Sequence, residues 1–184
     1  MGNLTLANQL TILRIMLIPA FVLLLVDGRL GAALLVFAFA GITDALDGLI
    51  ARKAGQRTSL GAWLDPMADK LLALSTFIVL TVPWLGLANP LPIWLTVLII
   101  SRDVVIVGTV AIVNLAIGPK TFRPSLFGKI ATATYMMTAV VAMFYNYLGY
   151  HSLVVDTFVY ASLAITLISS LHYIYHAARI IEGR

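Results

Sequence analysis

The chain has no cysteine, which excludes disulfides, thiolate zinc sites and a thiol nucleophile. Charge is scarce as well. Only 11% of the 184 residues are Asp, Glu, Lys or Arg, against about 25% in a soluble domain. With 61% hydrophobic residues and a mean hydropathy of +1.00, an integral membrane protein is expected, its length suiting one domain over residues 1–184. No internal repeat, linker or low-complexity tract is visible. No Lys or Arg precedes Arg14, and no small-residue cleavage site follows the first apolar run, so a cleaved signal peptide is not expected. The net charge of +4 is read as topology and contact with anionic lipid, not as nucleic-acid binding.

What the chain does have is long apolar runs. A spanning helix needs about 20 such residues, and the predicted spans are 8–26, 30–52, 63–82, 92–117, 125–147 and 153–178. Turn residues separate them: Asp27-Gly28, Lys53 to Ser59, Pro83 to Pro92, Gly118-Pro119 to Pro124, and Gly149 to Ser152. The short connections predict an all-helical bundle of about six antiparallel transmembrane helices. Arg52, Lys53 and Arg57 crowd the second loop, Lys120 and Arg123 occupy the fourth, and Arg179 and Arg184 follow the last helix. The third loop has no charged residue, and the first and fifth have one basic residue between them, Arg29. Lys/Arg excess marks the cytoplasmic side. Even-numbered loops and both termini are therefore expected in the cytoplasm of a cell whose inner or plasma membrane holds the chain.

Against this apolar background stand four aspartates: Asp44, Asp47, Asp65 and Asp69, half of the chain's eight acidic residues. A carboxylate at bilayer depth costs roughly 2.5–3.5 kcal/mol, and four unpaired would cost on the order of 10 kcal/mol. Something cationic must offset that. Residues three or four apart share a helix face, so Asp44 and Asp47 share one near the cytoplasmic end of the second helix. Asp65 and Asp69 share one near the start of the third. Back-to-back helices let the four converge in a cytoplasm-facing polar cavity. Hard divalent cations want oxygen ligands, and two of them would balance four carboxylates. Such a two-metal site clamps the attacking and leaving oxygens in phosphoryl transfer. Gly48 and Gly61 leave room for a ligand beside the aspartates, and Arg52, one turn past Gly48, could reach a phosphate bidentately. Helix packing and snorkelling are the plainer explanations for these three. Pro66 suits a first turn, so the third helix can begin near Asp65.

The spacing D-x2-D-G-x2-A-R-x8-G-x3-D-x3-D, met by Asp44, Asp47, Gly48, Ala51, Arg52, Gly61, Asp65 and Asp69, resembles the signature of the CDP-alcohol phosphotransferase family. The resemblance extends over nearly the whole chain. It implies transfer of a substituted phosphate from a CDP-linked donor to an alcohol, with release of CMP, by a six-helix protein that forms a homodimer. It also implies that Asp44, Asp47 and Asp65 bind metal, that Asp69 is the general base and may share the metal, and that Gly48, Arg52 and Gly61 contact the CDP part of the donor. Two ions, Mg²⁺ or Mn²⁺, are implied as cofactors.

Asn8, Thr11 and Arg14, as N-x2-T-x2-R, and D-P-M-A-D-K from Asp65 to Lys70 resemble the members that use CDP-diacylglycerol with glycerol-type acceptors. Phosphatidylglycerol and glycerol 3-phosphate are the two acceptors to separate. I-S-R-D-V (Ile100 to Val104) and R-P-S-L-F-G-K (Arg123 to Lys129) resemble the cardiolipin synthase form. Glycerophosphate enzymes more often show R-E and a later G-L-R, where this chain has Gly108-Thr109-Val110. A compact dianion wants dense positive charge, so the missing arginine favours phosphatidylglycerol.

Arg102 inside the fourth helix is a functional position by default, and Arg102, Arg123 and Lys129 together could bind the acceptor's phosphate. The alternative for Arg102 is a packing pair with an aspartate. Arg14 either closes the same pocket or snorkels. His172 and His176, one turn apart, are read as packing or interfacial residues. The tyrosines at 145, 147, 150, 173 and 175 are read as an aromatic belt. A cation transporter or channel is the competing function class, disfavoured by the one-sided, arginine-flanked site and the absent repeat.

Overall fold

A computed structural model describes the backbone of residues 6–54, 59–117 and 126–181. Side-chain surroundings are described for these residues except 6–8, 45–54, 59–63, 65, 110, 112–114, 116–117 and 176–181. The six expected helices are all present: α1 (Leu6–Val26), α2 (Leu30–Ala54), α3 (Ser59–Thr81), α4 (Ile93–Ile117), α5 (Leu126–Leu148) and α6 (Leu153–Ile181). A short 3-10 turn, Pro83–Leu85, follows α3, and there is no strand among the described residues. Among the described residues three helices are long and apolar enough to cross a bilayer, through Gln9–Val26, Leu126–Leu148 and Leu153–Tyr175. In α2 the apolar stretch is Leu30–Asp44, so Asp44 closes it and the helix runs on for ten residues to Ala54, about 15 Å.

The helix ends follow the turn chemistry of the sequence. Gly28 and Gly149 adopt left-handed φ values of 71° and 77°, a region other residues enter at a cost. There the Arg29 N–H reaches back to the Leu24 carbonyl, and the Gly149 N–H to the Tyr145 carbonyl. One expectation is corrected. The third helix does not begin near Asp65 but at Ser59, with Pro66 inside it. Interior proline costs about 3 kcal/mol and leaves the i−4 carbonyl, here that of Ala62, without its helix partner. Pro66 faces outward, and the packing of α3 against α1, α4 and α5 outweighs the loss.

α1 packs on α2 and α3, α5 packs on α2, α3 and α6, and α4 packs on α3 and α6. The centre is filled by Phe21, Phe37, Phe77, Leu80, Leu95 and Met143. Buried Ala33 and Ala40 on α2 and Ala139 and Ala142 on α5 let these two helices approach closely. The outer surface carries Met16, Leu35, Leu115, Leu153 and Leu171, all exposed. Apolar outside as well as inside is the distribution of a chain solvated by lipid. Buried threonines find partners within the bundle: Thr76 donates to the Leu72 carbonyl at 2.7 Å, and Thr138 shares a 2.8 Å hydrogen bond with Ser162 across α5 and α6.

The end of the bundle away from Ala54 and Ser59 is tied by amides. The Asn89 N–H donates to Asn146 Oδ1 at 2.6 Å, and Asn146 Nδ2 donates back to the Asn89 carbonyl at 3.0 Å. Asn89 Nδ2 donates to the Tyr150 carbonyl at 2.9 Å, and Asn89 Oδ1 accepts from the Ser152 N–H at 2.8 Å. The α3–α4 connection is thereby joined to the α5–α6 turn.

Candidate active site

Asp44 lies ten residues before the end of α2 and Asp69 ten residues after the start of α3. α1 packs on both α2 and α3 and brings the two aspartates to one level. Arg14 on α1 is at that level too, and it joins them. Its Nη1 is 2.8 Å from Asp44 Oδ1 and 2.9 Å from Asp69 Oδ1. The two carboxylate oxygens are therefore within two hydrogen-bond lengths of each other. The Arg14 side chain is 1% exposed, while those of Asp44 and Asp69 are 43% and 42% exposed. A guanidinium that deep must be paired to be tolerated, and each carboxylate is partly exposed.

Arg14 does not snorkel: its side chain is buried and paired with Asp44 and Asp69. It supplies cationic compensation that the sequence argument assigned to metal alone. The signal was the N-x2-T-x2-R spacing, with no sequence-local acidic partner to say which carboxylates it would meet. Thr11, one turn before Arg14, is fully buried on the same face.

Asp47, Gly48 and Arg52 lie on α2 and Gly61 and Asp65 on α3, but their surroundings are outside the described residues, and Arg123 is outside them altogether. Among the described residues no group of three or more His, Cys, Asp or Glu comes together. The donor chemistry of Asp44 and Asp69 fits a hard divalent ion. Both are acceptor-only oxygen ligands and both are partly exposed.

Of the two readings of Arg102, the pair with an aspartate is present: its Nη1 donates to Asp103 Oδ1 at 2.9 Å, and its Nη2 donates to Ser169 Oγ on α6 at 3.0 Å. Ser169 carries no signal in the sequence, and Lys70, whose Nζ is 3.5 Å from Asp103 Oδ2, stands out there only as the end of a motif. Lys129 is exposed at the start of α5. His172 packs edge-on against Phe127, ring centroids 4.9 Å apart, and the surroundings of His176 are outside the described residues.

Comparison with known proteins identifies the family of the chain. Residues 4–170 match the family described as CDP-alcohol phosphatidyltransferase. The chain is 32% identical over 191 residues to a human protein named cardiolipin synthase (CMP-forming), covering 95% of this chain and 62% of that one. It is 35% identical over 185 residues to a Mycobacterium tuberculosis protein named "Probable phosphatidylglycerophosphate synthase", covering 97% of this chain and 84% of that one. A Streptomyces coelicolor protein named cardiolipin synthase (CMP-forming) is 37% identical over 139 residues, 72% of this chain and 62% of that one. The chain spans a little under two thirds of the length of the human and rat relatives it matches.

Proposed function

Since the chain belongs to the CDP-alcohol phosphatidyltransferase family, we propose that it moves the phosphatidyl group of CDP-diacylglycerol to a glycerol-type hydroxyl and releases CMP. The observation that carries this reading is the meeting of Asp44 and Asp69 on one Arg14 nitrogen. It sets the first and last aspartates of the motif side by side.

In this reading Asp69 takes the proton of the attacking hydroxyl. The hydroxyl oxygen bonds to the phosphatidyl phosphorus as the bond from that phosphorus to the bridging oxygen breaks, and CMP leaves with the electron pair. Arg14 holds Asp44 and Asp69 at fixed spacing, and such positioning is a large part of the acceleration of phosphoryl transfer. Gly48, Arg52 and Gly61 receive the CDP part of the donor. Asp44, Asp47, Asp65 and Asp69 would hold two ions, Mg²⁺ or Mn²⁺, which when bound neutralise charge on the pyrophosphate. Arg102, Arg123 and Lys129 meet the acceptor's phosphate.

Six spans with both termini and the aspartate level toward the cytoplasm accord with the Lys/Arg distribution. Residues 1–184 then act as one domain, and the homodimer implied by the resemblance is checked by mass measurement in detergent. Phosphatidylglycerol is the favoured acceptor, supported by the absent second arginine and by the partial neutralisation of Arg102 by Asp103. Glycerol 3-phosphate is the second reading, favoured by the M. tuberculosis relative, which this chain covers more fully.

The test is CMP release by purified protein in mixed micelles containing CDP-diacylglycerol and Mg²⁺ or Mn²⁺, with each acceptor separately and Asp69→Asn as control. Turnover with phosphatidylglycerol supports the first reading, and turnover with glycerol 3-phosphate alone supports the second. Folded protein silent with both loses the transfer reading.

A further inference from the structure

The end of the bundle opposite the aspartates holds a cavity of about 430 Å³, within the size range of ligand sites. It lies where α4 and α6 begin, and Asn89, Trp94, His151, Asp156, Val159 and Tyr160 are among its walls. The Asn89 side chain is committed to the amide clasp, so the walls left to meet a ligand are chiefly aromatic and acidic. The Trp94 and Tyr160 ring centroids are 6.4 Å apart, with the planes 33° from parallel. One cation in front of them can lie within about 6 Å of both centroids, the reach of a cation–π contact. Asp156 is the one acidic residue of the lining, and no Lys or Arg joins it among the described residues. Its side chain is 47% exposed, and its Oδ2 is 3.7 Å from His151 Nε2, longer than a hydrogen bond.

Each of these residues alone has a plainer explanation. Trp and Tyr collect at membrane interfaces, and an aspartate in the first turn of α6 complements the helix dipole. Neither explains why two aromatic rings and a carboxylate line one cavity. We propose that this cavity binds the ammonium headgroup of a phospholipid, of the ethanolamine type, from the leaflet opposite the aspartates. The ammonium lies against the Trp94 and Tyr160 rings, with Asp156 as its counter-charge. The acyl chains cover Ile93 and Leu153, both exposed, which open α4 and α6 beside the cavity. A soluble amine would leave those two side chains bare, which is the ground for assigning a lipid. A headgroup with net negative charge is repelled by Asp156. The bound lipid is thus an anchor, distinct in charge and in place from the donor and acceptor handled at the other end of the bundle.

The experiment follows Trp94 fluorescence in full-length protein whose other tryptophans are replaced, Trp63→Phe and Trp84→Phe. The protein, in non-ionic maltoside micelles, is titrated with phosphatidylethanolamine, with phosphatidylglycerol of the same acyl chains, and with free ethanolamine. Phosphatidylethanolamine is expected to give a saturable change at a mole fraction about tenfold below that needed for phosphatidylglycerol, and free ethanolamine to give none in the same range. Asp156→Asn and Tyr160→Leu in this background should each weaken the response about threefold, the scale of one exposed ion pair or cation–π contact. Asp156→Glu and Tyr160→Phe, which keep the charge and the ring, should restore it. Asp69→Asn should leave it unchanged, since the aspartate site lies at the other end. Equal responses to the two lipids, or a preference that survives both Asp156→Asn and Tyr160→Leu, overturn the proposal and leave an aromatic belt only. Free ethanolamine binding as tightly as the lipid overturns the lipid assignment.

Discussion

Replacing Arg14 by methionine removes the guanidinium between Asp44 and Asp69 while keeping much of the side-chain volume. Breaking one side of a fully buried ion pair costs about 3–5 kcal/mol. That is an upper bound here, because the two carboxylates left behind are 43% and 42% exposed and water can reach them. Exposed pairs are worth only about 0.2–1 kcal/mol each. The arginine itself is 1% exposed, so its own desolvation is relieved by the change. A loss of about 2 kcal/mol follows, equivalent to a drop of roughly 4–8 °C in Tm for a chain of this size. Activity should fall further, because two like charges no longer held on one nitrogen move apart, and a displacement near 1 Å costs about 100-fold. The assays are thermal unfolding in micelles, with and without Mg²⁺, and CMP release. Mg²⁺ should recover more of the Tm in the variant than in wild type, since it takes over the compensating charge. Coupling is read from Arg14→Met combined with Asp69→Asn, which should cost less than the sum of the two. Strict additivity, with Tm and CMP release near wild type in Arg14→Met, would refute the argument and reduce Arg14 to a packing residue.

Asp69→Asn should lower CMP release by at least about 100-fold, the scale of general-base catalysis, with Tm shifted by only a few degrees. Chelation of divalent ions should abolish turnover. Restoring Mg²⁺ or Mn²⁺ to 100 times its Kd should stabilise the folded protein by about 2.7 kcal/mol, and this gain should shrink in Asp44→Asn. Asn89→Ala removes the two side-chain hydrogen bonds to Tyr150 and Ser152, leaving their backbone groups short of partners at a cost of about 2–4 kcal/mol. Its Tm should fall while kcat in the surviving folded fraction stays near wild type.

The helices were legible because a bilayer demands length and apolarity, and Gly28 and Gly149 mark turns only a few conformations can make. Pro66 misled because its fixed φ fits a first turn equally well, and only the packing around α3 decides that it is interior. That Asp44 and Asp69 belong together was readable from the spacing on two consecutive helices. Their shared partner was not, since Arg14 comes from a third helix and sequence distance says nothing about which face of α1 turns inward. Ser169 was invisible for the same reason: serines at 152, 162, 169 and 170 look alike until α4 is placed against α6. The Arg102–Asp103 pair, adjacent in sequence, needed no fold to be considered.

The amide clasp of Asn89 and Asn146 gives the molecule an asymmetry of stiffness. Its donors and acceptors are buried or half-buried and satisfied by one another, so nothing arriving from the membrane can substitute for them. At the level of Arg14, Lys70 and Asp103 the helices are held by charges that are in large part accessible, and a phosphate is itself a competitor for those charges. The bundle resembles a pair of tongs riveted at one tip by buried amides and latched at the other by charges that solvent can reach.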